Sequence, residues 1–95
     1  MYAVIFTADV AILDADYSRT AEQLRELALQ HYGCREFISC CEGASEIAIS
    51  YWDSEEQIQA WKQDIEHLAA QRAGRERWYR SYRVQVVEVK REYSR

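Results

Sequence analysis

The first ten residues, "MYAVIFTADV", place Tyr2, Val4, Phe6, Ala8 and Val10 on one side of a period-two pattern and Met1, Ala3, Ile5 and Thr7 on the other. Both sides are largely apolar, and the β-branched and aromatic content predicts a strand covered on both faces. From about Asp16 to Tyr32 the apolar residues move to helical spacing. Tyr17, Ala21, Leu24, Leu27 and Ala28 form one stripe, and Gly33 is placed to end the helix. "CREFISCCEGASEIAISYW" predicts two short strands around a turn at Gly43, Ala44 and Ser45, the second of them, Ile47 to Trp52, again apolar on both faces. Asp53 or Ser54 caps a second helix, and Ser54 with Gln57 has the spacing of a capping box. The stripe Ile58, Trp61, Ile65 and Leu68 carries this helix to about Arg72, where Gly74 supplies a stop.

After a short connection containing Trp78, "YRSYRVQVVEVKREY" predicts a long last strand. Its apolar residues fall first on even positions, Tyr82, Val84 and Val86, and then on odd ones, Val87 and Val89. A bulge near Val86 would produce this shift, and so would a strand whose two halves pack against different bodies. The order β-α-β-β-α-β predicts an α+β sandwich of the ferredoxin-like kind, with both helices on one face of an antiparallel sheet. The other face would be polar in a monomer. Here it carries Ala3, Ile5, Ile47, Ile49 and Tyr51 or their alternates, so a second copy of the same sheet is the simplest cover and a homodimer is expected.

Composition narrows the class. Ninety-five residues make one domain, 1–95, without a linker, a repeat or a proline, and 48% hydrophobic residues suffice for a core. No apolar run is long enough to span a bilayer, and Asp9, Asp14 and Asp16 interrupt the only apolar start. A cytoplasmic protein without membrane association is the default expectation. Charge is divided unevenly: residues 1–71 hold 4 Lys/Arg against 13 Asp/Glu, and residues 72–95 hold 8 against 3. Two such segments attract each other within a chain or between chains. Cys34, Cys40 and Cys41 lack a CxxC spacing and are odd in number, which points to reduced thiols. "HYGC" sets His31 and Cys34 two residues apart, too few ligands for a metal site. "RAGRERWYRSYR" interleaves arginines with aromatics as single-strand binders do, but the protein is acidic and these residues build a strand, so no nucleic-acid partner is expected.

The segment "ISYWDSEEQIQAWKQDIEHLAAQRAGRERWY", followed by the tyrosine-rich strand, resembles the antibiotic biosynthesis monooxygenase (ABM) family. The likeness covers nearly the whole chain in element order and is sharpest from Tyr51 to Trp61. It implies a dimeric α+β barrel in which two ferredoxin-like sheets face each other. Activities in that family divide between cofactor-free oxygenases of anthrones or quinols, haem degradation and action on signalling aldehydes, so the fold alone does not settle function. Haem-degrading members pair a helix tryptophan with an axial histidine ten residues later and an asparagine on the first strand. Trp61 matches, but Gln71 stands ten residues on and "VIFTADV" offers no asparagine, so that mechanism is disfavoured.

The quinol-oxygenating members are the nearer match. Their spacing implies a pocket tryptophan at Trp61, an amide at Gln57, a polar ring at His67 and a pocket arginine at Arg80 or Arg83. A histidine stands where that branch carries a tyrosine. Oxygenation without metal, flavin or other cofactor requires an electron-rich substrate made anionic by a base in a dry pocket. His67, with an ordinary pKa near ~6.5, is a candidate base, Arg80 or Arg83 a stabiliser of the developing oxyanion, and Trp61 and Tyr51 flat walls for a small aromatic or apolar ligand. The competing reading puts His67 in solvent: at 100° per residue it lies about 180° from Ile58 on an unbroken helix, and a break near Lys62 to Asp64 would be needed to turn it inward. The expected function is therefore a cofactor-independent monooxygenase of a small aromatic, quinol or polyketide-like substrate. The alternative is a non-enzymatic or stress-related dimeric barrel that binds a small ligand.

Overall fold

The structure, a computed structural model, describes residues 1–12, 15–72 and 78–95, with the side chains of 66–72 outside the description. Its elements run β1 (Tyr2–Val10), α1 (Ala15–His31), β2 (Glu36–Glu42), β3 (Ser45–Trp52), α2 (Glu55–Arg72) and β4 (Tyr79–Glu88). The strands form one antiparallel sheet in the order β2-β3-β1-β4. This is the ferredoxin-like α+β arrangement that the hydrophobic pattern predicts.

Register decides which residues face the helices. Tyr2 pairs with Trp52, Val4 with Ser50 and Val86, Phe6 with Ala48 and Val84, and Ala8 with Glu46 and Tyr82. All of these share the inner, helix-covered face, because side chains alternate across a pleated sheet. Ala3, Ile5 and Thr7 of β1, Ile47, Ile49 and Tyr51 of β3, Ile38 of β2 and Arg83, Gln85 and Val87 of β4 share the outer face. Among the described residues no layer covers that face: Ile38, Ile47 and Val87 are 48%, 42% and 38% exposed.

Two buried clusters lie under the helices. One gathers Val4, Ala28, Cys34, Trp52, Ile58 and Trp61, with Tyr2, Leu24, Leu27, Tyr32, Phe37 and Ile65 against it. The other gathers Ala8, Val10, Tyr17 and Trp78, with Phe6 and Tyr79 against it. Local signals fix the helix ends. Gln57 N–H donates to Ser54 Oγ at 3.3 Å, and the Asp53 and Ser54 N–H groups donate to Gln57 Oε1 at 3.2 Å, which completes the predicted capping box of α2. Gly33 closes α1 at φ +77°, where the Cys34 N–H reaches Ala28 C=O at 2.9 Å. Its missing Cβ leaves room for the Gln57 amide, since a Cβ there would lie 2.6 Å from Gln57 Nε2. Gly43, at φ +58°, turns the two-residue β2–β3 hairpin. The Leu68 side chain and the Gly74 stop lie outside the described residues.

The last strand differs from expectation. Its pairing with β1 runs without interruption from Glu88 opposite Tyr2 to Ser81 opposite Asp9, so there is no bulge near Val86. The irregularity lies at Arg80 instead, the extra residue between Ser81 opposite Asp9 and Tyr79 opposite Val10. Val86 and Val87 are apolar neighbours because they face opposite sides of an edge strand.

Candidate functional site

Between the inner face of the sheet and the two helices lies a cavity of about 580 Å³, within the range of small-molecule sites. Val4, Phe6, Ala48 and Val84 form its floor, and Ala21, Leu24, Ile58, Trp61 and Ile65 its roof. Tyr17, Trp78 and Tyr79 close one end. The charged lining residues Glu22, Arg25 and Lys62 are exposed and form a rim. On β4, Tyr82, Val84 and Val86 remain about half exposed although they point to the helix-facing side.

Aromatic packing differs between the two ends. At one end Trp61 and Trp52 rings lie 5.1 Å apart between centroids, with Phe37 edge-on to Trp61 at 6.1 Å. Their polar tips are satisfied within the fold: Trp52 Nε1 donates to Ser50 Oγ at 2.8 Å and Trp61 Nε1 to Leu24 C=O at 3.1 Å. At the other end Tyr17 stands edge-on to Trp78 at 5.7 Å and to Tyr79 at 5.9 Å, while Phe6 meets Tyr79 at 5.5 Å and Tyr82 at 6.1 Å. The Arg80 bulge makes this second group possible, since without it Tyr79 and Tyr82, three residues apart, would point to opposite faces.

Glu46 lies at the aromatic end. It sits on the inner face between Ala8 and Cys41, is 9% exposed, and lines the cavity. Its Oε2 is buried and has no hydrogen-bond partner among the described residues. Burial pushes the Glu46 carboxyl above the ordinary carboxylate range, because the charged form has lost its hydration. A buried carboxyl facing an apolar cavity is the kind of group that acid–base sites contain.

The residues expected from the sequence are dispersed by the fold. Trp61 lines the cavity and is also packed core, 8% exposed. Gln57 uses its amide oxygen in the helix cap and does not line the cavity. Tyr51 pairs with Ala3 and faces the outer side of the sheet, since Trp52 beside it faces in. Arg83 pairs with Thr7 on that outer face too. Arg80 sits exposed at the bulge, 3.5 Å from Asp9 Oδ1. Within the single chain, then, Tyr51, Gln57 and the two arginines do not gather around Trp61 in one pocket. No non-helical residue interrupts α2 between Trp61 and His67, so the break at Lys62 to Asp64 that would be needed to turn His67 inward does not occur. The His67 side chain lies outside the described residues.

Glu46, Tyr17, Trp78 and Tyr79 were missed. A signal for Glu46 was present: with Trp52 inside, period-two counting back through Ser50 and Ala48 places Glu46 inside as well. The doubly apolar character of β3 hid it, because either face could have been taken as the inner one.

The geometry defines a ferredoxin-like α+β domain with an aromatic-walled cavity between its sheet and its helix layer. The chain belongs to the family of the uncharacterized protein YqjZ of Bacillus subtilis (strain 168), to which it is 40% identical over 92 residues, 96% of this chain and 81% of that protein. No family model matches the chain. Among solved structures it is similar to a protein of unknown function from Nitrosomonas europaea (TM-score 0.73, 15% identity, 99% of this chain and 93% of the other). It is similar also to a Pseudomonas aeruginosa protein (TM-score 0.69, 17% identity, 90% of each chain). MhuD, solved as a mutant with two manganese protoporphyrin IX molecules bound per active site, shares the fold as well (TM-score 0.57, 17% identity, 97% of this chain and 98% of the other).

Proposed function

We propose that this protein is a cofactor-independent monooxygenase of a small, flat, electron-rich aromatic substrate such as an anthrone or hydroquinone. The 580 Å³ cavity carries this reading: its walls include Phe6, Tyr17, Trp61, Trp78 and Tyr79, and it contains a buried proton acceptor. A base removes a proton from the bound substrate, and the resulting anion passes one electron to dioxygen. The radical pair recombines as a peroxide, and with an anthrone the loss of water leaves a carbonyl where the methylene stood. One oxygen atom enters the product and the other leaves as water, with no added reductant. The resemblance to quinol oxygenases points to His67 as a base and Arg80 or Arg83 as oxyanion stabiliser. Within this chain, however, Arg83 faces the outer side of the sheet and Arg80 lies exposed at the bulge, so the proton acceptor that the described residues set at the cavity is Glu46.

A porphyrin does not suit the residues present. The inner face of β1 reads Tyr2, Val4, Phe6, Ala8 and Val10, without an asparagine, and no histidine is among the described residues lining the cavity. Haem titration followed by ascorbate is expected to leave the Soret band intact, and its loss with release of iron would overturn this point. The oxygenase reading is tested by oxygen uptake with anthrone on chelator-washed protein, with binding followed through tryptophan fluorescence. Binding with uptake supports the enzyme. Binding without uptake leaves a ligand-binding barrel, the second reading, which the apolar cavity also favours.

Assembly is part of the proposal. The exposed Ile38, Ile47 and Val87 share the outer sheet face with Ile5, Ile49 and Tyr51, an apolar patch that suits a second copy of the same face. Light scattering at micromolar concentration is expected to report about twice the 11.2 kDa chain mass, and Ile49→Asp to give monomer or aggregate. A stable folded wild-type monomer would sink the dimer.

A further inference from the structure

We propose that Glu46 is the catalytic base of this cavity and that it takes the proton of a carbon or oxygen acid on an aromatic ligand seated between Phe6, Tyr79 and Trp61. The proposal deepens the oxygenase reading and rests on it for the nature of the ligand, but the proton transfer is separable from oxygen chemistry.

Position comes first. Glu46 holds an inward site on β3, a central strand, in register with Ala8 on one side and Cys41 on the other, so backbone pairing on both flanks fixes the direction of its side chain. It is more than nine-tenths buried and reaches the cavity wall. Its Oε2 has no partner among the described residues, whereas Ser50, the other buried polar residue of that face, is engaged by Trp52 Nε1. An unpartnered buried carboxyl costs stability, and such a group fits a site whose partner arrives with the ligand.

Among the described residues the titratable and charged groups around it are few. From α1 they are Tyr17 in the wall, with Glu22 and Arg25 at the rim; from α2, Lys62 at the rim; from β4, Tyr79; and from β2, the neighbouring Cys41. Among them only Arg25 and Lys62 are cations, and both are exposed, so neither is placed to hold Glu46 ionised as a buried ion-pair partner would. Burial raises its proton affinity, and this makes the carboxylate a stronger base than one in water. In the proposed step the methylene C–H bond of an anthrone breaks and its electron pair passes into the ring system as an enolate. A new O–H bond forms on Glu46 Oε2, so the aromatic ligand becomes the anion while the protein becomes neutral at that site.

Anthrone in anaerobic D2O buffer tests this directly, because loss of the methylene proton signal by NMR reports proton abstraction without oxygen. Wild-type protein is expected to bind anthrone and accelerate exchange, with a rate that rises through one ionisation above the ordinary carboxylate range. Glu46→Gln is expected to retain binding, read by tryptophan fluorescence, and to lose about 10²- to 10⁴-fold in exchange rate. Glu46→Asp, which sets the carboxyl back by one methylene, is expected to fall between them with the pH profile kept, and it carries the test if the glutamine variant does not fold. Equal exchange in wild type and Glu46→Gln, or no acceleration by wild type that binds anthrone, overturns the proposal and leaves the oxygenase reading to its own assay. Exchange without oxygen uptake in air supports Glu46 as the base and overturns the oxygenase. Absence of anthrone binding overturns both.

Discussion

Ser50 and Glu46 stand four residues apart on the same strand and the same inner face, and both are buried, yet the fold treats them differently. Around Ser50 the polar atoms are paired: Trp52 Nε1 donates to its hydroxyl, Trp61 Nε1 to a carbonyl of α1, and Tyr32 Oη to Asp64 Oδ2 at 2.7 Å. Around Glu46 there is an aromatic wall and a carboxylate oxygen without a partner among the described residues. The pairing at the first end gives rigidity. The unsatisfied group at the second lowers stability in the empty protein, as groups that wait for a ligand do. One sheet face therefore holds a paired half and a half with an unpaired buried carboxyl, where the proposed proton transfer would take place, with the cavity spanning both.

Mutations at the two ends should separate these halves. The largest expected effect is at the paired end, where Trp61→Ala removes a buried indole that packs on Trp52 and Phe37 and is expected to cost about 3–5 kcal/mol in chemical denaturation. Ser50→Ala comes next. It strands the buried Trp52 N–H and is expected to cost about 1–3 kcal/mol, with the pH dependence of anthrone exchange unchanged. If Ser50→Ala moved that pH profile, the division into two halves would fail.

Gly33→Ala follows, at about 1 kcal/mol or more, because the residue adopts a positive φ and its new methyl meets the Gln57 amide. The smallest effect, and of opposite sign, belongs to Glu46→Gln. The folded protein keeps a proton on Glu46 at pH values where the unfolded chain has lost it, so stability falls as pH rises from the ordinary carboxylate range through the raised value, and the loss is complete above it. Glu46→Gln should abolish this slope and raise the melting temperature slightly at neutral pH. A wild-type protein whose stability rises over that window would contradict the buried, unpartnered state.

The fold was legible because each element carried its own signal. Gly33, the Ser54–Gln57 box and the turn at Gly43 fixed boundaries, and helical spacing placed Trp61 and Ile58 on the buried stripe. The site was less legible, for a physical reason. Tyr51 and Trp52 are adjacent aromatics on a strand apolar on both faces, so the pattern does not tell which of them faces the helices; the packing of Trp52 against Trp61 decides it. Gln57 satisfied two roles on paper, a cap and a pocket amide, and the backbone donors of the helix start claimed its oxygen. Tyr79 was hidden by parity, since nothing in "WYRSYRV" marks which residue the ladder will skip.

That skipped residue, Arg80, has a consequence for chain length. Because β4 continues past it in regular register, in a protein lacking Arg80 Tyr79 would directly precede Ser81 and keep the inward position opposite Val10, where its ring already lies. The shortened ladder would lose an exposed side chain and a surface ion pair with Asp9, an interaction worth about 0–1 kcal/mol. Elsewhere in β4 a one-residue deletion would exchange the inner and outer faces of every residue on one side of the cut, carrying Arg83 and Gln85 to the cavity or Tyr79 away from it. The bulge is thus the place along this strand where the chain can shorten by one residue without turning its cavity inside out.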